Sequence, residues 1–231
     1  MVAINSSSFL KQRQKLGSRE SGVANEEFIV VGNPTMPKVT AVPGETPEPL
    51  EPLPGAEQEA REIASLLNTQ AIIGSQATEA AIVEQMPKAR FIHLATHGLL
   101  NDLYNADLPG AIALAPSGED DGLLRASEIL NLKLNAELVV LSACNTGQGR
   151  ITSDSVIGLS RSLFTAGVPS VIASLWKVPD KPTAFLMTNF YQNLQKTPDK
   201  AQALRQAMLA TMKEYPHPKN WAAFTLIGEA E

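Results

Sequence analysis

Short apolar runs recur along this chain, and between them lie stretches whose apolar residues repeat every three or four positions. Phe28–Val31, Ala71–Ile73, Phe91–Ala95, Gly110–Ala115, Ala136–Leu141, Ser170–Leu175 and Trp221–Ile227 read as strands. Gly55–Leu67, Thr78–Gln85, Ala126–Leu130, Ser155–Ala166, Thr183–Leu194 and Lys200–Lys213 read as helices, with Thr78 as a cap. The run Leu138–Leu141 is apolar throughout, as a strand covered on both faces must be. Parallel neighbours need crossovers of helical length, and the alternation supplies them. The pattern therefore predicts an α/β fold with a mostly parallel central sheet and helices on both faces.

The 231 residues suffice for one large domain of this kind, and with aromatics at only 5% its core must rest on Val, Ile, Leu and Ala. Net charge is −5 with no Lys/Arg block, which argues against nucleic acid or an anionic membrane as partner. No apolar run approaches the roughly 18 residues that span a bilayer. Met1 to Ser21 is polar and lacks a hydrophobic signal core, so the expectation is a cytoplasmic protein. A lone cysteine, Cys144, excludes an internal disulfide and every multi-cysteine metal site. No phosphate-loop or dinucleotide fingerprint is present, and Gly158-Leu-Ser-Arg-Ser162 lacks the second glycine of a nucleophile elbow. No cofactor and no metal are expected.

Residues 1–26 show little periodicity and form a poorly defined N-terminal segment, and the domain proper runs over 27–231. Pro34, Pro37, Pro43, Pro47, Pro49, Pro52 and Pro54, seven of the chain's 16 prolines, mark residues 34–54 as an extended surface loop.

The chemistry gathers at two strand ends. In open α/β sheets, functional groups lie beyond the carboxyl ends of the strands. His97 follows the run Phe91–Ala95 and precedes Gly98, whereas His93 is mid-strand and is expected to be packed. Cys144 follows Leu138–Leu141 and precedes a loop with Gly147 and Gly149. A histidine so placed can be merely a turn residue, and a cysteine so placed an inert buried one. Together they suggest more. A thiol is only a few per cent thiolate at neutral pH, and an adjacent imidazole supplies the base. The backbone N–H groups of Gly98 and Cys144 are candidate donors to the oxyanion of a tetrahedral intermediate.

"FIHLATHG" around His97 and "ELVVLSACNTGQG" around Cys144 resemble the two signatures of the CHAT domain, a caspase-like cysteine peptidase family of clan CD. The resemblance extends to "PLPGAEQEAREIASLL", "DDGLLRASEILNLKLNAE", "GLSRSLFTAGVPSVIASLWKVPD" and "NWAAFTLIGE", covering about residues 27–229. It implies a caspase-like three-layer α/β/α sandwich and hydrolysis of peptide bonds by a His97/Cys144 dyad, on protein or peptide substrates. CHAT domains are widespread in bacteria and usually follow tetratricopeptide repeats or other sensor modules. No repeat array is legible here, so a tetratricopeptide-repeat or other sensor protein is the expected partner and regulator.

Asp107 and Asp154 lie near the two catalytic loops and could receive a basic substrate side chain, although a solvated loop carboxylate is the commoner case. Trp176 could line the substrate cleft or could be a packed indole capping the sheet. His217, between two prolines, reads as structural. The rival reading is a catalytically silent CHAT-like module that binds partners.

Overall fold

The structure is a computed structural model and describes residues 28–40, 46–99, 110–118, 120–142 and 153–231, with side chains of the last span from residue 158. In chain order the elements begin with strand β1 (Phe28–Pro34), the two-residue strands β2 (Lys38–Val39) and β3 (Glu48–Pro49), helix α1 (Pro54–Leu66), β4 (Ala71–Gly74) and α2 (Glu79–Gln85). There follow β5 (Phe91–Ala95), β6 (Gly98–Leu99), β7 (Ala111–Ala113), β8 (Leu123–Arg125) and the single helical turn α3 (Ala126–Ile129). The chain continues through β9 (Leu138–Leu141), α4 (Ser153–Thr165), β10 (Ser170–Ser174), α5 (Asp180–Leu194), α6 (Lys200–Glu214) and β11 (Phe224–Gly228).

Among the described residues, six strands form the central sheet in the order β4-β1-β5-β9-β10-β11. The first five are mutually parallel, and β11 runs antiparallel to β10. The reversal follows from the connections. One helix separates β9 from β10, but two helices, α5 and α6, separate β10 from β11, so the chain re-enters the sheet from the opposite end.

Alternate residues of each strand face opposite layers. Ile29, Val31, Ile92, Leu94, Val139, Leu141 and Val171 pack against Ile82 of α2, Ile129 of α3 and Leu159 and Leu163 of α4. Val30, Val140 and Ile172 pack against Ala60 and Ile63 of α1, Leu186 and Phe190 of α5 and Leu204 of α6. The expected three-layer α/β/α sandwich is therefore present. The Thr78 cap is present too: its side chain accepts from the Ala81 N–H at 3.2 Å.

Two parts differ from the sequence reading. Residues 34–54 are not simply an extended loop. Pro34 ends β1, Pro54 opens α1, and β2 and β3 pair between them, with Lys38 opposite Pro49. Val39 and Leu50 then pack on Leu99, Ala111 and Leu123, and this apolar contact holds a proline-rich stretch against the domain. The second difference is a small antiparallel sheet, β6-β7-β8, in which β6 and β8 are too short to show a period. Among the described residues, no helix is long and apolar enough to cross a membrane.

Candidate active site

In this strand order the chain leaves β1 for β4 on one side and returns to β5 on the other, so the carboxyl ends of β1 and β5 form a switch point. His97 sits there, two residues beyond β5, with its side chain buried. The turn that carries it is fastened to β7. The Ala113 N–H donates to the His97 carbonyl at 2.9 Å, and the Thr96 hydroxyl donates to the Ala113 carbonyl at 2.8 Å. Gly98 pairs with Ile112 at a non-hydrogen-bonded position of that ladder, so its own N–H points away from β7.

The His97 ring is held from the other side of the switch point. Its Nε2 lies 2.7 Å from the carbonyl oxygen of Glu51. A carbonyl can only accept, so Nε2 carries the proton and, in the neutral ring, Nδ1 carries the lone pair. Burial pulls the imidazole below its ordinary value, the Glu51 carbonyl opposes that, and the Lys177 cation adds to it. The ring is thus biased toward the neutral form that a general base requires.

Glu51 belongs to the short segment between β3 and α1. Asn33, at the end of β1, reaches into it: its Oδ1 accepts from the Leu53 N–H at 2.7 Å, and its Nδ2 donates to Glu57 Oε2 at 3.2 Å. Sequence reasoning singled out neither Asn33 nor Glu51. The signal for Asn33 was an Asn-Pro pair ending a buried strand; a carbonyl contact has no sequence signature.

Strand β9 is the parallel neighbour of β5, with Leu94 opposite Leu141. Cys144 follows Leu141 by three residues, and the same spacing separates His97 from Leu94. Cys144 and Asp107 lie outside the described residues, and Asp154 falls in α4 where side chains are not described. Trp176, just past β10, is half-buried; it packs beside the α1–α5–α6 layer, and its Nε1 donates to the Lys219 carbonyl at 3.1 Å. His217 caps the short 3-10 turn Pro218–Asn220, its Nδ1 accepting from the Lys219 N–H at 3.1 Å.

His93 is buried, as its mid-strand position implies, but it has polar company. Its Nε2 lies 2.9 Å from Glu59 Oε1, and its Nδ1 lies 3.2 Å from the Tyr191 hydroxyl. The partners fit a chain of donors in which Tyr191 O–H donates to Nδ1 and Nε2–H donates to Glu59. Glu59 was legible in principle: it is three residues after Ala56 and four before Ile63, on the apolar stripe of α1. Burial, with Glu59 nearby, pushes the Tyr191 hydroxyl well above its ordinary value. Among the described residues, no group of three or more His, Cys, Asp or Glu is arranged to hold a metal ion.

The fold is that of a caspase-like α/β/α protein. The CHAT domain family model matches residues 2–229, and the chain belongs to that family. It is 30% identical over 235 residues to mouse (Mus musculus) tetratricopeptide repeat protein 28, covering 86% of this chain but only 9% of that protein. The chain therefore spans about a tenth of the length of the curated relatives it matches. Among solved structures it resembles the Arg-specific cysteine proteinase gingipain R, with TM-score 0.60 and 14% identity over 98% of this chain and 52% of that one. It also resembles Saccharomyces cerevisiae separase in complex with securin, with TM-score 0.56 and 12% identity over 94% of this chain and 13% of that one. At such identities the likeness is one of fold.

Proposed function

We propose that this chain is a cysteine endopeptidase in which Cys144 is the nucleophile and His97 the general base. The observation that carries the reading is the Glu51 carbonyl on His97 Nε2, which turns the basic Nδ1 away from Glu51. Leu94 and Leu141 are opposite each other on adjacent parallel strands, and His97 and Cys144 each follow that pair by three residues, a correspondence that supports the pairing of the two in one site.

In this mechanism Nδ1 takes the Cys144 thiol proton and the thiolate attacks the scissile carbonyl. The N–H groups of Gly98 and Cys144 receive the developing oxyanion. The imidazolium then protonates the departing amine, leaving a thioester, and His97 next activates the water that hydrolyses it. Lys177, close enough to lower the imidazole's basicity, also favours the thiolate. Asp107, Asp154 and Trp176 are the candidate groups for substrate side chains. A free thiol nucleophile suits the reducing cytoplasm, where we place the protein.

The second reading, a silent interaction module, is favoured by one observation: the 30% identical relative is named for tetratricopeptide repeats and not for proteolysis. The same name supports a repeat-bearing sensor as partner, one that raises the activity of the isolated domain. Labelling Cys144 with a thiol reagent across pH separates the readings. The peptidase requires a low-pKa thiol whose reactivity drops in His97→Ala, and loss of peptide-library cleavage in Cys144→Ala. Ordinary thiol reactivity, indifferent to His97, leaves the module.

A further inference from the structure

The Glu51 carbonyl can hold His97 only if its own segment is held, and that segment is poor in backbone hydrogen bonds. Pro49, Pro52 and Pro54 have no N–H, which leaves Leu50, Glu51 and Leu53 as its donors. Leu50 N–H donates to the Pro37 carbonyl at 3.1 Å, and Leu53 N–H donates to Asn33 Oδ1 at 2.7 Å. These two bonds bracket Glu51. Leu53 is also the N-cap of α1, and the Asn33 amide holds that residue's own N–H from another strand, fixing where the helix begins.

The backbone at Asn33 is shaped for this. The pairing of β1 with β4 shifts between Gly32 and Pro34, so Asn33 is the extra residue of an irregular ladder. Such irregularities re-aim a side chain. Asn33 has φ of +45°, a left-handed conformation that asparagine tolerates better than most residues. The result sends both halves of its amide across the switch point, one to Leu53 and one to Glu57.

We propose that Asn33 is a positioning residue for His97, fixing the Leu50–Leu53 segment so that the Glu51 carbonyl holds the imidazole in the Nε2–H tautomer. This rests on the reading of His97 as the base. Asn33 touches neither the substrate nor the reacting atoms; it acts two contacts away.

The test reads the tautomer directly, by nitrogen NMR of histidine-labelled protein, with His97 assigned from the His97→Gln spectrum. The wild-type chain shows protonated Nε2 and unprotonated Nδ1. Asn33→Gly deletes the amide while keeping a residue that accepts the positive φ. It is expected to mix the tautomers and to lower kcat about tenfold or more with KM little changed, the pattern of a group that acts only through the reacting centre. Asn33→Asp keeps an oxygen for the Leu53 N–H and is expected to keep the tautomer. Asn68→Gly, at the other asparagine with positive φ, is the control and should leave His97 unchanged. An unaltered His97 signature in folded Asn33→Gly, or equal loss in Asn33→Asp, overturns the proposal. The NMR signature needs no substrate, so a wild-type chain that cleaves nothing would defeat the peptidase reading without deciding this one.

Discussion

His97 Nε2 and the Glu51 carbonyl oxygen meet at 2.7 Å, joining the end of β5 to the segment that opens α1. Nε2 donates its proton to that carbonyl, and burial, the largest influence on the ring, lowers the basicity of the imidazole. The ordinary imidazole value is 6.5, and His97 lies below it. The expected acid limb of kcat/KM therefore falls below pH 6.5, with the base already neutral above it. Stability follows the same sign: a base depressed on folding contributes fully above its unfolded value and loses that contribution as pH falls through its folded one. Lys177→Gln removes a cation that disfavours the imidazolium, so its acid limb should move upward. A limb that stays in place in Lys177→Gln would exclude that charge from the balance.

The buried chain Glu59–His93–Tyr191 links α1, β5 and α5 across one layer of the sandwich. Removing one member strands the others away from water. Glu59→Ala or His93→Leu should each destabilise the fold by about 3 kcal/mol, read as a loss of urea midpoint. The double variant should lose less than the sum, because the second change no longer breaks an intact contact. Neither residue belongs to the proposed dyad, so thiol reactivity of the folded fraction should persist. Additive losses would show that the two side chains do not depend on each other.

A third expectation concerns Gly32, where β1 passes beneath α1. A Cβ there would lie 2.5 Å from the Ala56 carbonyl oxygen and against the Ala60 methyl. Backbone cannot yield as a flexible side chain does, so Gly32→Ala should push α1 outward and cost about 1–3 kcal/mol. The same shift moves the Glu51 segment, which leads directly into α1. Gly32→Ala should therefore disturb the His97 tautomer as well as the melting temperature. A change in melting temperature alone would mean that the segment is anchored independently of α1.

The sheet was legible because each central strand is a continuous apolar run, and Phe91–Ala95 matches its observed bounds. That the strands leading to His97 and Cys144 are neighbours is not set by the alternation, because β6, β7 and β8 lie between them in the chain and pair in a separate sheet. The antiparallel turn of β11 was not legible, since a strand's direction depends on how many helices precede it rather than on its own residues. Within residues 34–54 the short β2–β3 ladder was not legible, because prolines signal extended chain equally well in a loop and in a two-residue ladder; what decides is the partial burial of Val39 and Leu50, a tertiary effect. The histidine was visible by position and family likeness. Its support was not, because Asn33 and the Glu51 carbonyl lie far from it in sequence and one of them is a main-chain atom.

The last prediction concerns a carboxyl group on the opposite layer. Glu79 opens α2, and its Oε2 is buried without a hydrogen-bond partner among the described residues. Burial, then Glu128, Asp120 and Asp121, raise its pKa from 4.5 to about 7, with Arg125 opposing them. An acid raised on folding contributes stability that is fully present below its unfolded value and is lost as pH rises through the folded one. The window here runs from 4.5 to about 7. Above it, both states are ionised and the folded state carries the burial penalty, up to about 3 kcal/mol at 1.36 kcal/mol per pKa unit. Glu79→Gln keeps the shape and cannot ionise. Urea unfolding at pH 5 and pH 8 should show wild-type stability dropping between the two, with a smaller drop in Glu79→Gln, so that the variant is the more stable protein at pH 8. Equal drops in the two proteins would assign the pH dependence to other carboxylates and leave Glu79 ionised in the fold at neutral pH.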